Sequence, residues 1–262
     1  MKSATLILLI LFAVLLGYSL ATFPLGLPRP ALLTPLTTLV GFAFALVHAW
    51  RRSGWKRALG WAAITFLVSL TFESVGVATG LVYGPYHYTD RLGPLFLGLV
   101  PYLIPLAWFM MMYPSLVIAE GLTGGLAGWK RMLTVAAIGG VIMTAWDVVM
   151  DPVMVAGGHW VWDVSGAYFG VPLQNYWGWW LTVFTTFMLC QLLPGSAAVE
   201  TDARFDRQAL IAYAFMGVNS IGVALFTGLG GPALAGLFAM GPWVVIGWSR
   251  LAPRARDAIF TK

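Results

Sequence analysis

The chain has 262 residues, of which 60% are hydrophobic and only 10% are charged, and its formal net charge is +5. About a quarter of the residues of a soluble domain are charged, so this composition excludes that class and is typical of an integral membrane protein. The single cysteine, Cys190, excludes a disulfide within the chain, and no Cys/His cluster has the spacing of a zinc site.

Apolar runs long enough to cross a bilayer recur along the whole chain, since a helix needs about 20 such residues to span it. None of them alternates with the two-residue period of a barrel strand, so we predict that all of them are helical. The runs cover residues 4–21, 32–50, 58–82, 94–119, 132–155, 177–193, 209–228 and 232–248. The predicted fold is an all-α membrane protein with about eight transmembrane helices and a single domain over residues 1–262.

The basic residues indicate the orientation, because positive charge gathers in the cytoplasmic loops of membrane proteins. If successive helices cross the membrane in opposite directions, the loops on one side of the membrane contain only two basic residues, Arg29 and Arg91. The other side receives Lys2, Arg51, Arg52, Lys56, Arg57, Lys130, Arg131, Arg204, Arg207, Arg250, Arg254, Arg256 and Lys262. We therefore predict a multi-pass protein of the plasma membrane with both termini in the cytoplasm. The net positive charge then reflects orientation, and no basic stripe suggests a nucleic-acid partner.

The first apolar run has two interpretations. Lys2, the apolar core and the ending Ser19-Leu20-Ala21 are also typical of a cleavable signal peptide. We favour a retained first helix, and cleavage would leave seven helices with the same loop orientations.

Three carboxyl groups lie deep inside the third and fifth runs. A charged side chain at the centre of a membrane helix costs at least ~2.5–3.5 kcal/mol, so such residues are candidates for function. In the predicted orientation Glu73 and Asp147 fall at nearly the same depth in the outer half, with Asp151 one turn beyond. Two helix stripes of identical spacing hold them: Ser69, Glu73, Gly76 and Gly80, and Gly140, Thr144, Asp147 and Asp151. Small residues mark close helix contacts, so we predict that the carboxyls face the bundle interior.

The two loops that follow these helices have a similar character. Each contains a histidine among aromatic residues with an aspartate shortly after it, namely His87 with Asp90 and His159 with Asp163. We interpret helices three to four and five to six as a diverged tandem repeat in the same orientation.

Several other polar and aromatic residues have simpler interpretations. Trp179 and Trp180 are typical of an interfacial aromatic belt, and Asn219 of a polar contact between helices. The acidic residues at the cytoplasmic margin are expected to be solvated: Glu120, Glu200, Asp202 and Asp206.

Two segments resemble the signature blocks of the CruF-type carotenoid hydratases. They begin FESVGVATGLVYGPYHYTDRLGP and AWDVVMDPVMVAGGHWVWDVSGAYFG, and the blocks cover residues 72–112 and 145–180. The first block's matching positions are Glu73, Gly76, Gly80, Gly84, Tyr86, Tyr88 and Thr89. Those of the second are Trp146, Asp147, Asp151, Pro152, Trp160, Trp162, Tyr168, Gly170, Pro172, Asn175 and Trp177. Tyr83 and Tyr176 stand where phenylalanine is more frequent, which predicts a change in pocket polarity.

The resemblance implies addition of water to the terminal C1′=C2′ double bond of an acyclic carotenoid, which gives a tertiary 1′-hydroxyl without a metal or other cofactor. A carboxylic acid buried beside a second carboxylate can stay protonated near neutrality and act as a general acid. We assign Glu73 and Asp147 as the acid/base pair. Either Asp151 or Asn175 holds the attacking water. We expect aromatic faces to stabilise the cation, with Tyr88, Trp160, Trp162 and Trp177 as candidates. Further substrate contacts are assigned to Tyr86, His87, Asp90, His159 and Asp163.

Two other functions remain open at this point. A carotene cyclase would quench the same carbocation with a double bond of the substrate, and a proton-coupled transporter would use the buried acids as a relay. Lycopene, a monocyclic carotene and longer C50 pigments all fit as substrates. The expected partners are the carotenoid, the lipid bilayer, water as co-substrate and other enzymes of carotenoid synthesis.

Overall fold

Eight long helices dominate a computed structural model, which describes residues 2–194 and 202–251 of the chain. The helices are α1 (Lys2–Ala21), α2 (Leu33–Ser53), α3 (Trp55–Thr79), α4 (Leu103–Leu122), α5 (Gly128–Ala156), α6 (Leu173–Gln191), α7 (Ala203–Phe226) and α8 (Gly230–Arg250). The short strands are β1 (Tyr86–Tyr88), β2 (Leu95–Phe96), β3 (Val100–Pro101) and β4 (Trp160–Trp162). The predicted all-α bundle is confirmed.

Seven of these helices are long and apolar enough to cross a membrane, judged by length and composition. The exception is α6, whose 19 residues include Gln174, Asn175, Thr182 and Thr186. These polar side chains lower its hydropathy, yet α6 lies inside the bundle and packs against α3 and α5. A multi-pass membrane protein follows from the other seven helices.

Helix α4 lies at the centre of the bundle, and every residue from Trp108 to Ala119 along it is buried. Helices α3, α4, α5 and α6 form a ring in which α3 packs against α4 and α6, and α5 packs against the same two helices. The α1 helix packs against α2 and α7, while α7 and α8 pack against α4 and α5. The ring therefore has a second layer of helices on one side.

Two loops meet at one end of the ring, which we call the outer end: α3 and α5 finish there, and α4 and α6 begin there. Strand β1 pairs antiparallel with β4, with Tyr86 opposite Trp162 and Tyr88 opposite Trp160. Tyr86 follows Glu73 by 13 residues, and Trp160 follows Asp147 by the same number. This symmetric pairing supports the tandem repeat, which stays a prediction.

At the opposite end, which we call the inner end, the structure corrects one expectation. Glu120 and Asp206 are not solvated but bind Arg52, whose Nε lies 2.9 Å from Asp206 Oδ1, and the Asp206 side chain is only 1% exposed. Burial of a carboxylate requires such a partner, which hydropathy along the sequence does not reveal. Asp202 is exposed and caps α7 through the Arg204 amide. Glu200 lies outside the described residues.

The orientation of the bundle is testable with single cysteines in a Cys190→Ala background. Asp90→Cys and Ser165→Cys lie in exposed parts of the two outer-end loops, and Gly125→Cys lies in the exposed inner-end turn between α4 and α5. Because 13 basic residues were assigned to the inner side, we expect an impermeant thiol reagent to label the first two cysteines in intact cells. Gly125→Cys should react only after lysis. The reverse pattern would contradict the orientation.

Candidate active site

Glu73 is buried near the outer end of α3, with its side chain held by three donors. The Tyr86 hydroxyl donates to Oε2, the Tyr88 hydroxyl does so at 2.9 Å, and Trp108 Nε1 donates to Oε1 at 2.9 Å. Burial, followed by the nearby Glu73 charge, raises the pKa of both tyrosines well above the usual value, so both remain protonated donors. Three donors thus converge on this one carboxyl group, whose oxygens can accept all of them.

Two glycines, one at the turn after α3 and one on α6, allow the first loop to take its position. Gly80 ends α3 in a left-handed conformation with φ at +69°, which turns the chain back over the helix end. A Cβ atom on Gly178 of α6 would lie 2.5 Å from the Val82 carbonyl oxygen. Glycine at position 178 therefore lets the loop approach α6, and Tyr83 beside it bonds Thr182 at 2.8 Å.

Asp147 and Asp151 are linked by one amide. Asn175 Nδ2 on α6 donates to Asp147 Oδ2 at 2.6 Å and to Asp151 Oδ2 at 2.8 Å. The other oxygen of Asp151 accepts from Trp160 Nε1 at 2.8 Å and from Trp162 Nε1 at 3.3 Å. Strand β1 thus supplies the tyrosine hydroxyls that bond Glu73, and strand β4 supplies the indole N–H groups that bond Asp151. Pairing of the two strands places both sets of donors above the ends of α3 and α5.

A cavity with about 1210 Å³ of space free of protein atoms, its open mouth included, lies beside these groups. Its lining residues all come from the outer halves of α1 to α7 and from the outer-end loops. Glu73, Asp151 and Asn175 face it, together with Tyr86, Tyr88, Trp160 and Trp162. Arg29 is its one exposed lining residue among those the structure describes, so we place the mouth there.

Three tryptophans form a continuous aromatic wall of the cavity. The rings of Trp108 and Trp179 lie 4.1 Å apart, and those of Trp179 and Trp146 lie 6.0 Å apart, measured between centroids. Trp108 donates to Glu73 at one end, and Trp146 donates to Ser220 Oγ at 3.0 Å at the other. This wall connects the carboxyl groups with α7 on the far side.

The carboxyl groups are not arranged as the sequence suggested. Asp147 does not line the cavity, because its side chain points to Asn175 of α6, whereas Asp151 one turn later does line it. In the described part of the chain, no hydrogen bond joins Glu73 to either aspartate. Among the described residues, Glu73 and Asp151 are the two carboxyl groups that line the cavity.

Five of the assigned substrate contacts lie outside the cavity. His87 Nδ1 bonds Asp163 Oδ1 at 2.7 Å across the loops, and both side chains are about half exposed. Asp90 is exposed. The His159 carbonyl accepts from the Thr89 amide, and burial lowers the pKa of the His159 imidazole. Trp177 is 60% exposed and stacks on Trp180. Antiparallel pairing of β1 with β4 brings His87 of the first loop to Asp163 of the second.

Sequence reasoning missed several lining residues. Trp179 is 9% exposed and faces the cavity, so it is not part of an interfacial belt; its neighbour Trp180 bonds the Ala137 carbonyl and stacks on Phe184. Asn219 makes no helix-to-helix hydrogen bond, because its buried Oδ1 has no partner among the described residues. Trp179 lies four residues after Asn175, so the helical period from Asn175 was the signal available for it.

The carboxyl groups at this site can act as acids and bases. No group of three His, Cys, Asp or Glu side chains within residues 2–194 and 202–251 has the geometry of a metal site. Glu73 and Asp151 are instead satisfied by N–H and O–H donors, whereas the buried Asp147 Oδ1 has no partner among the described residues. A buried acidic pair beside aromatic faces is suited to proton transfer and to stabilising positive charge.

Comparison with known proteins identifies the family of the chain. A sequence model of the family described as carotenoid biosynthesis protein matches residues 33–242. Bisanhydrobacterioruberin hydratase of Haloarcula japonica is 36% identical over 173 residues, which cover 66% of this chain and 52% of the relative. The chain thus spans about half the length of that relative. No solved structure matches the chain. The extent of the family match shows that the chain belongs to the family of carotenoid biosynthesis proteins.

Proposed function

We propose that this protein is a hydro-lyase that adds water to the terminal double bond of an acyclic carotenoid end group and forms a tertiary alcohol. Glu73 and Asp151 face the same aromatic cavity within a membrane bundle, and this arrangement is the main support for the proposal. The relative from Haloarcula japonica is named a hydratase, which supports the same reaction class.

The first step is protonation of the less substituted alkene carbon by Asp151. This aspartate lines the cavity and lies beside Asp147 through Asn175. Two neighbouring carboxyls cannot both ionise easily in a buried site, so the pair retains a proton for the general acid. Asp147 acts through Asn175 as a positioning residue. This revises the sequence-based pairing of Glu73 with Asp147.

The resulting tertiary cation lies against aromatic rings. Tyr88, Trp160 and Trp162 line the cavity near the carboxyls, and Trp108 and Trp179 extend the aromatic wall. A cation over such a face gains about 0.5–2 kcal/mol per ring. The same rings exclude loose water, so the cation meets only water that the site positions.

Water then attacks the cation and loses a proton to Glu73. Within the described residues no hydrogen bond links Glu73 to a second carboxyl, so Glu73 does not share a proton as the aspartate pair does and can act as the base. Asn175 contributes both amide hydrogens to the aspartates, which leaves its Oδ1 to accept a hydrogen bond from the attacking water. Return of the proton from Glu73 to Asp151 restores the starting state.

Pigment analysis in a lycopene-producing host separates this function from its competitors. Mass spectrometry should find a product one water heavier than its precursor in cells that express the protein. A cyclase would give an isomer of unchanged mass, and a transporter would leave the pigment unaltered. Supplying monocyclic and C50 precursors one at a time then identifies the preferred substrate. Either competing outcome would refute hydration.

The roles of the carboxyls predict distinct losses for amide variants. Glu73→Gln and Asp151→Asn should each lower the hydration rate by ~10²–10⁴, the range of general acid–base catalysis. The double variant should lose little more, because either change disables one unit. Asp147→Asn should lose less, since Asp147 does not reach the cavity. Rates are measured with purified protein and saturating carotenoid.

Asp163→Asn is the matched control, because it removes an exposed carboxyl outside the cavity. It should keep near-parental activity. Amounts of folded protein should stay similar in all variants, since a neutral amide is cheaper to bury than a carboxylate. Near-parental conversion by Glu73→Gln or Asp151→Asn would contradict the mechanism.

A further inference from the structure

Three buried polar atoms between α5 and α6 have no hydrogen-bond partner among the described residues. They are Thr144 Oγ1 and Asp147 Oδ1 on α5 and the Tyr176 hydroxyl oxygen on α6. Asp147 is fully buried, and none of the three residues lines the cavity. A buried polar atom without a partner costs free energy, so three of them in one part of the molecule require an explanation.

The packing of α5 against α6 brings these residues to one level of the bundle. The two helices run in opposite directions and approach closely where a Cβ atom on Gly140 would lie 2.7 Å from Trp180 Cδ1. One turn nearer the outer end, Thr144 of α5 therefore lies opposite Tyr176 of α6. Asp147 follows Thr144 by three residues and shares its face of α5.

A contact with the second loop shows that the Tyr176 ring lies near Asp147. The ring centroids of Tyr176 and Tyr168 are 5.6 Å apart, and the Tyr168 hydroxyl donates to the Val148 carbonyl at 3.1 Å. Val148 directly follows Asp147 in the chain. Among charged groups, Asp147 has the strongest electrostatic interaction with the Tyr176 hydroxyl. The two groups are therefore neighbours without a direct hydrogen bond.

The hydroxyl of Thr144 is directed differently from those of other helical threonines. Several of these donate a hydrogen bond to the carbonyl group four residues earlier in the chain, namely Thr37, Thr79, Thr134, Thr182 and Thr186. Thr144 does not form this bond, although its hydroxyl oxygen is buried. Its hydroxyl is thus available to a ligand between the helices.

Water is the ligand whose chemistry fits these three atoms. A buried water molecule forms two to four hydrogen bonds, and it can donate to a carboxyl oxygen while it accepts from a hydroxyl group. The charges of Asp147 and the neighbouring Asp151 disfavour an anion. A metal ion would need further ligands, and no group of three His, Cys, Asp or Glu side chains in the described ranges supplies them.

We propose that Thr144, Asp147 and Tyr176 bind one ordered water molecule between α5 and α6. The water donates to Asp147 Oδ1 and joins it to the two hydroxyl groups. It holds Asp147 in the orientation in which Oδ2 accepts from Asn175 at 2.6 Å. This water differs from the one that attacks the substrate, because its three partners lie outside the cavity. The site does not depend on the proposed function.

A double-mutant cycle of thermal unfolding, measured on the purified protein without substrate, tests the site. Tyr176→Phe keeps the ring and Thr144→Val keeps the branched shape, and each removes one hydroxyl group. We expect each change to lower the unfolding temperature by about 2–4 °C, the shift for loss of one net hydrogen bond in a chain of this size. The double variant should unfold at nearly the temperature of the less stable single variant, because the water leaves with the first hydroxyl.

Ser115→Ala is the matched control, because Ser115 is buried on α4 and its hydroxyl donates to the Met111 carbonyl at 2.8 Å. Its effect should add to that of Tyr176→Phe. Additive effects of Thr144→Val and Tyr176→Phe would overturn the shared water. Single variants at least as stable as the parent would also overturn it, since removal of a hydroxyl without a partner is neutral or stabilising.

A crystal structure of the parent protein, at a resolution that shows ordered water, gives a second readout. We expect water density about 2.5–3.0 Å from Asp147 Oδ1 and from both hydroxyl oxygens. No density at that position would refute the proposal even if the variants did not fold. Failure of hydration is measured separately, as unchanged pigment mass in cells, and affects neither readout.

Discussion

The need to satisfy a carboxylate buried in a membrane helix governs the outer half of this protein. Glu73 can be accommodated only if donors reach it, and these come from β1 and α4. Strand β1 must therefore lie over the end of α3. Its pairing with β4 then brings Trp160 and Trp162 to Asp151. The loops, the two sets of donors and the cavity wall thus depend on one electrostatic requirement.

This arrangement also explains why so many large aromatic side chains converge at one end. Tyrosine and tryptophan satisfy a carboxyl through O–H or N–H while presenting an apolar face to the cavity. The same residues can therefore hold an acidic pair, line a lipid-like substrate site and surround a cation. Aliphatic side chains would provide only the second of these properties, and charged ones would attract loose water.

The sequence predicted the features of this structure that depend on helical periodicity and on the free-energy cost of burying a charged side chain. The helices, the depth of Glu73 and Asp147, and the inward stripes follow from hydropathy and helical spacing. Hydropathy and helical spacing do not predict which carboxyl faces the cavity, because that depends on where α6 crosses α5 and on the hydrogen bond from Asn175 to Asp147. The His87 to Asp163 contact depends on strand pairing between distant loops. The buried ion pairs of Arg52 were hidden because residues near a helix end are usually solvated.

Stabilisation of a tertiary cation by this site can be measured with a charged analogue of that cation. In such an analogue a protonated tertiary amine replaces the cationic carbon of an acyclic isoprenoid end. Analogues of a reaction's transition state bind at least ~10²-fold more tightly than neutral counterparts. We expect the amine to inhibit hydration by the purified protein competitively, with such a preference over the hydrocarbon, and the Glu73→Gln variant to lose most of that preference. Equal binding of the amine and the isosteric hydrocarbon would show that the site does not stabilise a cation.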